Sequence, residues 1–137
     1  MTSESLAVSY LKKATARLKV LDLLLKEGSY SDVVREAQEL VELALKGMLR
    51  SVGIEPPKIH DVGKFLVEHQ NRFPQDLRDR LAALAAISKS LRKDRELAFY
   101  GDIDFIPTEE YSISEAQQAY DGAKMVLDAA TRVIQIG

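Results

Sequence analysis

Cysteine is missing from this 137-residue chain, and histidine and proline are scarce, with two and four copies. Without cysteine there are no disulfides, no thiolate zinc sites and no thiol nucleophile, a pattern that suits a reducing compartment. With two histidines, a metal site would need mainly carboxylates. Di-iron helical bundles require Glu-x-x-His on two helices, and neither His60 nor His69 has a glutamate three residues before it. No glycine-rich loop of either phosphate-cradling type is present, and no serine sits in a nucleophile elbow. No metal and no cofactor are therefore expected.

Apolar runs are short as well. None approaches the ~20 residues needed to span a bilayer, and the first twenty residues lack the basic start and apolar centre of a secretion signal. The expectation is a cytoplasmic chain with no membrane contact. A net charge of −2 argues against attraction to nucleic acid over the whole surface, so any anion binding must be local.

Strand signals are nearly lacking; apolar residues recur at intervals of three and four. Ala7, Leu11, Ala14, Leu18, Leu21 and Leu25 make one stripe over about Glu4 to Lys26, with Lys12, Lys13, Arg17 and Lys19 off it. Gly28 suits a helix C-terminus. Ser29 or Ser31 is expected to cap a second helix, with Asp32 in its first turn. There Val33, Val34, Ala37, Leu40, Val41, Ala44, Leu45, Met48 and Val52 cover nearly half the circumference. So wide an arc implies several neighbours, either as the central helix or with one edge against a second subunit. Arg35–Glu39 and Glu42–Lys46 are spaced as solvated i,i+4 pairs. Gly53 stops this helix, and a stiff segment with Pro56 and Pro57 follows. A short helix is predicted from about His60 to Gln70, with Val62, Phe65 and Leu66 inward and His60 as its cap or an anchor of the proline turn. Pro74 is expected at the first position of a fourth helix ending at Gly101. Residues 102–107 read as a loop across the bundle end. Ser112 and Glu115 form a capping-box pattern. The last helix should bury Ile113, Ala116, Tyr120, Ala123, Leu127, Ala130 and Ile134. The predicted fold is all-α, an antiparallel up-and-down bundle of four long helices plus one short one, in a single domain spanning 1–137.

One residue breaks the pattern. In the fourth helix Leu77, Leu81, Leu84, Ser88, Leu91, Ala98 and Phe99 share a stripe, and Arg95 falls at its centre. Arginine does not lose its proton in a protein, and a buried unpaired charge costs several kcal/mol. Arg95 must therefore snorkel out, meet an internal carboxylate, or face a cleft holding an anion. Lys89, Arg92 and Lys93 precede it and are also explained by the helix dipole. Tyr100 follows, with a hydroxyl and a ring on which a base stacks. Arg92, Lys93, Arg95 and Tyr100, with His60 as an additional contact, are the candidate phosphate- or nucleotide-binding residues.

Several stretches in order resemble the HEPN domain family. They are Tyr30-Ser31-Asp32 opening a helix, Ala37-Gln38-Glu39, Leu45-Lys46-Gly47-Met48-Leu49, Gly53, and His60-Asp61 opening a short helix. A fourth helix with an arginine, followed by Tyr100-Gly101, completes the set. The resemblance implies an up-and-down bundle, usually a homodimer, with arginine-bearing helices meeting in the interface cleft. It implies in many members a minimal nucleotidyltransferase partner, in a toxin–antitoxin-like pair, and in others ribonuclease activity. The ribonucleases carry arginine, four to six residues, then histidine. Here those windows after Arg92 and Arg95 hold Leu97, Ala98 and Phe99, and Tyr100, Gly101 and Asp102, with no histidine. A phenol is a poor base at neutral pH. The chain is thus expected to be a nucleotide- or RNA-phosphate-binding module that is not catalytic by itself. The alternatives are a metal-independent endoribonuclease toxin using Arg95 and Tyr100, or His60 brought in by folding, and a purely structural dimerisation domain.

Overall fold

A computed structural model of the chain describes residues 3–58, 61–99, 101–103, 106 and 110–134; the side chains of residues 3 and 94–99 lie outside that description. The helices are α1 (Ser3–Lys26), α2 (Tyr30–Ser51), α3 (Val62–Glu68), α4 (Gln75–Phe99) and α5 (Ile113–Ile134), with a 3-10 turn at Gln70–Arg72. Among the described residues there is no strand, and no helix is long and apolar enough to cross a membrane.

The wide apolar arc of α2 makes it the hub. It packs against α1, α3, α4 and α5, and Val33, Ala37, Leu40, Ala44, Leu45, Met48 and Leu49 are sealed from solvent. Neighbours within the same chain thus cover the arc, as expected of a central helix. On α1, Ala7, Leu11, Ala14 and Leu21 are buried, while Leu18 and Leu25 are half-buried. Arg17, predicted on a solvated face, reaches Glu36 at 3.2 Å because α2 packs alongside.

Two helices end in the same way. The N–H of Ser29 bonds the Leu24 carbonyl at 2.9 Å, and that of Gly28 bonds Leu25 at 3.2 Å. At the end of α2, Ile54 bonds Leu49 at 2.9 Å and Gly53 bonds Arg50 at 3.1 Å. Both are Schellman turns, and both place a glycine at positive φ, Gly28 at 74° and Gly53 at 80°.

The helix starts depart from expectation in detail. Ser29 precedes α2, but its hydroxyl donates to the Asp32 carboxylate at 2.6 Å and caps no backbone N–H. Ser31 is buried inside the helix; the charged acceptor outcompetes the cap. α3 is shorter than predicted, because its N-cap is Asp61 rather than the expected His60, which lies outside the described residues, and because the backbone tightens into a 3-10 turn after His69. Phe65 is only half-buried and stacks on the His69 ring, centroids 4.4 Å apart. Pro74 lies one residue before α4, its carbonyl accepting from Leu77 at 3.0 Å and Arg78 at 3.2 Å. At α5, both the N–H and the hydroxyl of Ser112 donate to Glu115, which is the glutamate half of a capping box.

Two side chains are placed differently from their periodicity, and a third has no assignment. Ile113 is 60% exposed; Ser114 and Glu115 beside it are exposed too, and burial on α5 begins only at Ala116. Tyr120 is half-buried and gives its hydroxyl to Asp22 of α1 at 2.6 Å. Phe73, unassigned by pattern because it stands in a turn, is among the largest fully buried side chains. In the 102–107 connection, Ile103 and Ile106 point to solvent, so these two do not cover the bundle end; residues 104, 105 and 107 lie outside the described residues.

Candidate functional site

The stripe on α4 is core where it is described: Leu77, Leu81, Leu84, Ser88 and Leu91 are all buried. One turn further on the same face comes Arg95, whose side chain lies outside the described residues, as do His60 and Tyr100 altogether. Arg92 and Lys93 are described, and both are exposed. The structure therefore places two of the five sequence-derived candidates, side by side near the C-terminal end of α4.

Arg92 does more than answer the helix dipole. Its Nη1 stands 3.6 Å from Oδ1 of Asp61, with 42% and 28% of the two side chains exposed. The same carboxylate oxygen accepts the Lys64 N–H at 3.3 Å, capping α3. This link depends on how closely α3 lies on α4. A Cβ on Gly63 would come within 2.7 Å of the Ala85 Cα, so only glycine lets the two backbones approach this far. Val62 and Leu66 then bury against the core. Arg92 follows Ala85 by seven residues, about two turns along nearly the same face of α4, and its long side chain spans the distance to Asp61 at the start of α3.

Pattern reasoning did not find Asp61 as a charge partner. Its signal, an aspartate just before an apolar helical run, indicates a cap but says nothing about a distant arginine. A groove of about 300 Å³ between α4 and α5 was also missed. It opens because Ala86, Ser90, Ala119 and Gly122 are small, and Glu115 and Gln118 line its polar side. The Glu115 carboxyl is held below the usual range by the Ser112 N–H and hydroxyl. On the α1–α5 side, the bond to Asp22, with burial, pushes the Tyr120 phenol up to about 12.

Fold and site together define an all-helical domain with exposed cations near one helix end, tied by a carboxylate to a short neighbouring helix. The HEPN domain family model matches residues 7–134, nearly the whole chain, and the chain belongs to that family. No curated protein and no solved structure gives a significant match.

Proposed function

We propose that this HEPN protein is a phosphate-recognition module, binding a nucleotide or an RNA strand through the C-terminal end of α4. The contacts assigned are Arg92, Lys93, Arg95, Tyr100 and His60. Arginine supplies a planar fork of donors for phosphate oxygens and lysine a mobile point charge; the phenol supplies a hydroxyl and a stacking face. The reading takes residues 1–137 as one antiparallel up-and-down domain, four long helices and one short. It works as a homodimer in the cytoplasm, with the α4 ends of two copies lining a shared cleft. A minimal nucleotidyltransferase partner performs the chemistry, in a toxin–antitoxin-like pair. The observation that carries the reading is the concentration of exposed cations at Lys89, Arg92 and Lys93, leading to Arg95, in a chain of net charge −2.

The test is binding of ATP and of a short fluorescent oligouridine at low salt. Arg95→Ala should weaken binding at least about tenfold, as expected for a charged hydrogen bond worth ~1.5–3 kcal/mol. Equal affinity in wild type and variant, or none in either, removes the reading.

One contact favours a second reading, the endoribonuclease. Asp61, next in sequence to His60, lies against Arg92, and this reading takes the histidine to act beside the arginine-bearing helix. RNA incubated with the protein in EDTA decides it: cleavage lost in His60→Ala supports it, and no cleavage ends it.

A further inference from the structure

We propose that Asp61 determines the specificity of the α4 anion site: it holds Arg92 when no anion is bound and yields it only to a phosphate that engages neighbouring cations as well. This inference rests on the reading of α4 as the binding element. α3, at seven residues, offers no anion site of its own.

The geometry points to an exchangeable partner. At 3.6 Å the charges attract without a well-formed hydrogen bond, and both remain open to solvent, where such pairs are weak. The two members are not equally fixed. Asp61 is tied by the Lys64 N–H and by the Gly63–Ala85 approach. Arg92 is a long side chain on an exposed face and swings at little cost. An incoming anion therefore competes with an intramolecular carboxylate that is always present. A ligand with a single weak charge gains nothing by replacing it. A phosphate chain reaching the exposed Lys89 or Lys93 at the same time does gain, because each additional cation contributes to binding. Asp61 acts through Arg92 and touches no ligand, so it is a positioning residue that sets a threshold against small anions.

The experiment compares inorganic phosphate, ATP and a short oligouridine binding to wild type, Asp61→Asn and Asp61→Glu. Asparagine keeps a good helix cap and removes the charge; glutamate restores the charge. Expected for Asp61→Asn is phosphate binding tighter by up to about fivefold at low salt, the size of an exposed ion pair. The gain for oligouridine should be smaller, and the difference should vanish as salt rises. Asp61→Glu should return selectivity towards wild type, and Asp61→Asn combined with Arg92→Gln should lose the gain. ATP falling in line with phosphate or with oligouridine tells whether a free nucleotide or a strand is favoured. If Asp61→Asn fails to fold, Asp61→Ser supplies another uncharged cap for the same comparison. Unchanged selectivity in the uncharged variant, or a gain that survives in the double variant, overturns the inference. Unchanged binding in Arg95→Ala identifies instead a failure of the α4 reading itself.

Discussion

α2 and α4 are nearly equal in length, 22 and 25 residues, yet they serve different ends. α2 is in contact on most of its circumference and buries more than half of its residues. Over its described side chains, α4 buries a single stripe and leaves Lys89, Arg92 and Lys93 to water. The same helical period, with apolar arcs of different width, gives a scaffold in one case and a platform for charge in the other. The proposed function falls on α4, where the fold does not need the outer face of the described part.

Truncating the centre of α2 should have the largest effect. Leu45→Ala is expected to cost about 2–5 kcal/mol by denaturant unfolding, whereas Lys93→Ala should stay within about 0.5 kcal/mol and lose anion binding only. If the two variants were equally stable, the contrast between scaffold and platform would not hold. Next comes the joint between α3 and α4. Gly63→Ala should destabilise by about 1–3 kcal/mol through overpacking against Ala85, and it should alter anion selectivity in the same direction as Asp61→Asn by moving Asp61 from Arg92.

A smaller effect is expected at the α1–α5 contact. Tyr120→Phe should cost no more than about 1 kcal/mol, because the bond to Asp22 is partly open to solvent. The sign of its pH dependence follows from the raised phenol. The stabilisation is complete below the ordinary tyrosine range and is lost as pH rises through about 12. A phenolate absorbance titration should show one late tyrosine, absent from Tyr120→Phe. Smallest of all is the start of α5. The depressed Glu115 carboxyl stabilises above the unfolded carboxylate range, and that stabilisation is lost as pH falls through its folded value. Thermal unfolding of Glu115→Gln should therefore lose less on acidification than wild type; equal losses would remove the cap from the account.

Much of the fold was legible because helical periodicity is a local property. The stripe from Leu77 to Leu91 could be drawn without coordinates, as could the stops at Gly28 and Gly53, where the chain needs positive φ. Ile113 was misjudged and Phe73 left unassigned for one reason: burial depends on what lies opposite, and neither a helix phase nor a turn encodes that. The candidate site was legible as a charge cluster. Its partner was not, since Asp61 and Arg92 stand 31 positions apart in sequence and nothing local links them.

The order of residues alone settled that the chain is helical, where most helices stop, and that its cations gather near the end of α4. Each of these follows from interactions over a few neighbouring positions. Only the tertiary structure decided that α2 is covered by its own chain, that Gly63 seats α3 directly on Ala85, and that Asp61 thereby meets Arg92. Those outcomes depend on close packing between distant segments, where a single methyl group decides whether two backbones can touch.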